Sequence, residues 1–143
     1  MYPMKYIIMA LFILVFLVPS RFTVINEVDA YTIENTNNVF ALIEYFSIKY
    51  GVPEGVLDYI VRNESTYNPV AVGDTHLKCH RTGEMMRSRG LVQISDCYHE
   101  VTDFEAFNPR FSLDFLARNL SEGRCSWWTT CRVLKSKFPK SLD

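Results

Sequence analysis

The sequence predicts a mainly α domain of the α+β class, about five helices with one small β-hairpin. Three observations predict it. Apolar residues recur at three- and four-residue intervals in several segments flanked by cap and stop signals. Between two of those segments, Gly73, Gly83 and Gly90 mark turns, and the apolar run Leu91 to Ser95 is too short for a helix. At 143 residues and 48% hydrophobic content, the chain has room for an export segment and one compact domain.

Residues 1–30 read as a signal peptide or an N-terminal membrane anchor. Lys5 supplies a positive charge, and Tyr6 to Val18 is an unbroken apolar run of thirteen residues. A membrane span needs about 17 to 25 residues, so the run suits a signal core better. Val28-Asp29-Ala30 resembles a cleavage site. Cleavage is favoured, and the alternative is attachment to a membrane through residues 1–20. Either way the domain is expected to be exported. Residues 31–38 form a polar linker that ends as a helix cap, and residues 39–143 form the domain.

Val39 to Tyr50 carries its apolar residues at Val39, Phe40, Leu42, Ile43, Phe46 and Tyr50, and Gly51 stops it. Pro53 opens a second helix, which Asn68-Pro69 closes. In that helix Val56, Ile60 and Glu64 are spaced by four, so an apolar stripe ends in a carboxylate. Either Glu64 points inward, or it reaches solvent from a frayed helix end. Pointing inward, it would have a raised pKa, through desolvation and the negative end of the helix dipole. A glutamate kept protonated near neutral pH is what general-acid cleavage of a glycosidic bond requires.

Val70 to Gly90 has Arg81-Thr82-Gly83 as its hairpin tip. Lys78, Arg81, Arg87 and Arg89 stand there against Asp74 and Glu84, making either a solvated loop or an electrostatic rim for an acidic polymer. Leu91 to Ser95 follows as one strand of the hairpin. Thr102 and Glu105 form a capping box for a short helix toward Phe107. Asn108 and Pro109 then start a helix to Glu122, with Leu113, Leu116, Ala117 and Leu120 as its buried stripe. Ser126 opens a last helix with Trp127, Trp128, Cys131 and Leu134 on one side, ended by Pro139.

The formal charge of -1 argues against nucleic-acid binding, which needs a clearly basic field. An aromatic content of 14% suits both a dense core and a sugar-binding cleft. In an oxidising compartment the four cysteines imply two disulfides with three connectivities. Cys79 with Cys97 and Cys125 with Cys131 is preferred because each pair is local. A zinc site from His76, Cys79, His80, Cys97 and His99 is the weaker alternative, since no recognised zinc spacing is present. No metal or cofactor is expected.

Glu64-Ser65 followed by Tyr67-Asn68-Pro69, Ala71-Val72-Gly73-Asp74 and then Gly90-Leu91-Val92-Gln93-Ile94 resembles the soluble lytic transglycosylase domain, a relative of goose-type lysozyme. The resemblance covers about Val52 to Cys131 and implies a lysozyme-like fold. It makes Glu64 the single catalytic acid and base and gives Ser65 a part in shaping the sugar subsite. Gly90, Leu91, Val92 and Gln93 become a strand wall facing Glu64, with groups for N-acetyl recognition, although an ordinary buried strand is the expectation for Leu91 and Ile94. The family's Ala-Tyr-Asn motif is missing. Arg124 to Cys131 stands in its place, and Trp127 and Trp128 would take over part of the wall. The insert from Thr75 to Ser88 is longer than a minimal member needs.

The implied activity is cleavage of the bond between N-acetylmuramic acid and N-acetylglucosamine in peptidoglycan, leaving a 1,6-anhydromuramoyl end. Most glycosidases use two carboxylates. Only Glu64 has a convincing context here, and Asp74, Glu84 and Asp96 read as turn or loop residues. Hydrolysis of the same bond with help from Asp74 is one alternative, and a glycan-binding module without turnover is another. The expected partners are peptidoglycan glycan strands, bound by a monomer.

Overall fold

The computed structural model describes residues 38–130 and 133–134. The expected signal or anchor, residues 31–37 of the linker, Cys131 and Pro139 lie outside the described residues. Within them the chain forms an α+β domain with four α-helices, a three-stranded antiparallel sheet and one 3₁₀ turn.

Helix α1 (Val39–Tyr50) begins where the Asn38 side chain accepts from the amides of Phe40 and Ala41. It ends at Gly51 with φ 66°, a left-handed turn that glycine adopts without Cβ crowding. Helix α2 (Glu54–Ser65) follows, with Pro53 as its N-cap rather than inside its first turn. The short α3 (Asp103–Ala106) carries the expected Thr102–Glu105 capping box. Helix α4 (Pro109–Ser121) has Asn108 as cap and Pro109 at its first position.

The core gathers Leu42, Ile43 and Phe46 of α1 with Val56, Leu57, Ile60 and Val61 of α2 and Leu113, Leu116 and Leu120 of α4. Each of these stripes repeats every three or four residues, which explains why the three helices bury one face apiece. Burying a Leu, Ile or Phe side chain contributes roughly 1.5–3 kcal/mol, so this apolar cluster dominates the stability. At the edge of the α1–α4 contact, Lys49 Nζ and Tyr50 Oη both donate to Asp114 Oδ1, at 2.8 and 2.7 Å.

The sheet departs from the expected single hairpin. Strands β1 (Val72–Gly73), β2 (Ser88–Arg89) and β3 (Ile94–Ser95) pair antiparallel in that order, with Val72 opposite Arg89 and Arg89 opposite Ile94. Residues Gly90 to Gln93 are therefore not a strand but the turn joining β2 to β3. Gly90 has φ 76°, and a Cβ there would lie 1.8 Å from the carbonyl oxygen of Ala106. Only glycine lets the turn press against α3. Leu91 and Val92 project from this turn into the core, both fully buried. Their apolar character reflects burial and not pairing.

The last segment also differs. Cys125–Trp127 is a single 3₁₀ turn, and Trp128 is extended at φ -109°, ψ 132°. The break puts the two tryptophans in different settings: Trp128 is buried, whereas Trp127 is about half exposed. Cys79 and Cys97 form a disulfide. Cys125 is also disulfide-bonded. Among the described residues, no three His, Cys, Asp or Glu side chains form a group able to hold a metal ion.

Candidate active site

Glu64 occupies the last turn of α2, one step beyond Val56 and Ile60 on the stripe that faces the core. It is partly buried and lines a cavity of about 230 Å³. Burial pushes its carboxyl pKa upward most strongly. A hydrogen bond from Thr130 Oγ1 to Glu64 Oε1, at 3.3 Å, acts in the opposite direction, and the charge of Asp74 pushes it up again.

Asp74 lines the same cavity. It sits just after β1 with φ 60°, a left-handed conformation that Asp tolerates better than most residues. Ser88 on β2 donates a hydrogen bond to its Oδ2. Asp74 thus lies outside the strands, as expected for a turn or loop residue, and its position at the end of β1 brings a second carboxylate into the Glu64 cavity. Gln93 lines the cavity too, also left-handed at φ 51°. Its Nε2 donates inward to the carbonyl of Gly90 at 3.0 Å and, more weakly, of Ala71 at 3.4 Å, while its Oε1 sits against Gly73.

The far side is aromatic. Trp128 donates from Nε1 to the carbonyl of Val92 at 2.9 Å, tying the final segment to the β2–β3 turn. Trp127 packs at 4.9 Å from the His99 ring, and His99 meets Phe115 edge-on at 5.1 Å. Burial lowers the pKa of His99, so its imidazole is neutral at neutral pH. All four residues line the cavity, together with Tyr98.

The loop bearing Tyr98 and His99 is held from several directions. The Cys79–Cys97 disulfide fastens it to the hairpin whose tip is Arg81 to Gly83, and Arg81 Nη1 donates to the Cys97 carbonyl at 3.2 Å. Buried Arg89 donates from Nη2 to the Val101 carbonyl at 2.9 Å and pairs with Asp103. Arg87 bonds both Asp96 and Asp103. Arg89 is therefore an internal strut of this loop and not part of an electrostatic rim, which corrects that alternative for one of its four cations, while exposed Arg87 is held by its ion pairs with Asp96 and Asp103.

The predicted site residues divide. Glu64, Gln93, Trp127 and Trp128 line the cavity. Ser65 does not: its hydroxyl donates back to the Val61 carbonyl at 3.1 Å within α2. Gly90, Leu91 and Val92 do not line it either and serve as turn and core. Tyr98, His99 and Phe115 were not foreseen, because they lie on a loop and a helix face that meet only in three dimensions. The His99-Trp127 pair had no signal in sequence spacing.

Two further hollows adjoin. One of about 630 Å³ shares Tyr98, His99 and Phe115 with the Glu64 cavity and extends to Arg81 and Glu100. The other, of about 430 Å³, lies over Tyr98, His99 and Trp127. The shape is an open cleft suited to an extended ligand, with an acid at one end and an aromatic wall alongside. The chain matches no family model, no curated protein and no solved structure.

Proposed function

We propose that this domain is a peptidoglycan lytic transglycosylase with a lysozyme-like arrangement of its helices around the cleft. The observation that carries the reading is Glu64: a partly buried carboxyl with raised proton affinity, facing an aromatic wall across an open cleft. Such a group is protonated when an unperturbed glutamate would be ionised. The flat faces of Trp127 and its neighbours suit the apolar faces of pyranose rings.

In this mechanism Glu64 gives its proton to the glycosidic oxygen as the bond from C1 of N-acetylmuramic acid breaks. Positive charge develops at C1 and the ring oxygen. The muramoyl C6 hydroxyl oxygen then bonds to C1, and its proton passes to the Glu64 carboxylate. The acid is regenerated, no water is consumed, and the product ends in a 1,6-anhydro ring. The Thr130 hydroxyl supports the cycle by donating to Oε1, which leaves Oε2 as the oxygen that carries and receives the proton.

Asp74 favours a second reading, hydrolysis of the same bond. Its carboxylate lies in the Glu64 cavity and acts electrostatically on Glu64. There it could hold a water molecule for attack at C1. Mass spectrometry of peptidoglycan digested by the protein separates the two, because the anhydro product is lighter by one water. The expected products are anhydromuramoyl fragments, still formed by Asp74→Asn. Reducing ends that disappear in that variant would instead establish the hydrolase. Glu64→Gln is expected to abolish turnover, and retained cleavage by it would remove Glu64 from the mechanism.

A further inference from the structure

His99 is a polar ring in an apolar clamp. Its imidazole is partly buried between Phe115 and Trp127 and has no side-chain hydrogen bond among the described residues. Neither ring nitrogen is both sealed from solvent and unpartnered, a condition that Arg89 Nε alone meets among the described residues. His99 also lines each of the three hollows that make up the cleft. A half-buried donor and acceptor without a protein side-chain partner is left open to solvent or to a ligand.

Other groups that could read an N-acetyl substituent are already committed. Leu91 and Val92 face the core, the Val92 carbonyl accepts from Trp128, and the Gln93 amide nitrogen donates to backbone carbonyls. We propose that His99 is a substrate-contacting residue that recognises the acetamido group of an N-acetylated sugar seated against Trp127. A neutral imidazole offers one N–H donor and one acceptor nitrogen. An acetamide offers the matching carbonyl and N–H, and its methyl group can rest on the indole face. The ring clamp fixes the imidazole before ligand arrives, so little rotamer freedom is lost on binding.

The inference rests on the glycan-cleft reading but is tested by binding and not by turnover. The full chain carrying Glu64→Gln is titrated calorimetrically with an N-acetylglucosamine tetramer and with cellotetraose, which has hydroxyls in place of the acetamides. Adding His99→Phe keeps an aromatic ring and removes both polar atoms. It is expected to weaken binding of the acetylated tetramer about threefold to tenfold, the worth of one net hydrogen bond. Cellotetraose binding should change less than twofold. His99→Gln should recover most of the loss, and unchanged thermal midpoints would show that both variants are folded.

Equal weakening of both ligands, no weakening of either, or no recovery by His99→Gln overturns the inference. So does an absence of tetramer binding by the parent. Cleavage of peptidoglycan by the wild-type chain is scored separately. If cleavage fails while the His99 pattern holds, the lyase assignment falls and the recognition role stands.

Discussion

Glu64 links protonation to stability as well as to chemistry. Its folded-state pKa lies above the ordinary carboxylate value, so between the two the folded chain holds more proton than the unfolded chain. Stability from this group is therefore fully present below the unfolded pKa of about 4.3 and is lost as pH rises through the folded value. Glu64→Gln removes the ionisation. Its thermal midpoint should equal or exceed that of the wild type at neutral pH, with the gap narrowing toward pH 4. A scan of midpoint against pH checks this, and a gap that widened on acidification would contradict it. On the proposed mechanism the same proton sets the rate, so acid catalysis should decline as pH rises through the folded pKa of Glu64. His99 titrates in the same cleft with its pKa lowered by burial, so the acidic side of the profile includes its protonation.

Trp128 acts differently, through a hydrogen bond between its indole and a buried carbonyl 36 positions away. Trp128→Phe leaves the Val92 oxygen without that donor. A destabilisation of about 1–3 kcal/mol is expected, measured by denaturant unfolding. Trp127→Phe, on the half-exposed neighbour, should cost little stability and reduce binding instead.

Elements were legible where a local signal creates them. Asn38, the Thr102–Glu105 pair and Asn108-Pro109 satisfy free amides at helix starts, so each marks its helix within a few residues. Strands two residues long carry no alternation to read, and β1 and β2 passed as loop for that reason. Leu91 and Val92 misled because an apolar pair buried from a turn looks like a strand. The final tryptophans misled because helical spacing was assumed across a 3₁₀ turn. Glu64 was visible through its four-residue spacing, whereas the cleft's other wall depends on long-range contacts that no local pattern encodes. Glycine substitutions probe the turns. Gly90→Ala should destabilise by more than about 2 kcal/mol, since the left-handed φ and the Ala106 carbonyl both oppose a Cβ. Gly83→Ala at the hairpin tip meets open space and should cost only about 1–2 kcal/mol from its φ.

At the scale of the molecule, a helical core and a cleft wall are stabilised by different means. The core relies on apolar burial, while the wall relies on the Cys79–Cys97 bond and the Arg87–Asp96–Asp103–Arg89 network. A disulfide closing a loop of this size contributes roughly 3 kcal/mol. Replacing Cys79 and Cys97 together by Ser should lower the thermal midpoint and weaken glycan binding while far-ultraviolet circular dichroism remains near that of the parent. Loss of the helical signal at room temperature would show instead that the core depends on the wall.

The Glu64–Thr130 hydrogen bond spans 66 positions, more than half of the domain. Closing so long a loop is entropically costly, and contacts of this kind are established late in folding. On a ribosome, α2 can be complete long before Thr130 has been synthesised. Until the segment bearing Trp127, Trp128 and Thr129 docks, that wall of the Glu64 cavity is missing and the burial that raises the proton affinity of Glu64 is incomplete. On the proposed mechanism, competence for acid chemistry thus waits for a segment synthesised long after the helix that carries the acid.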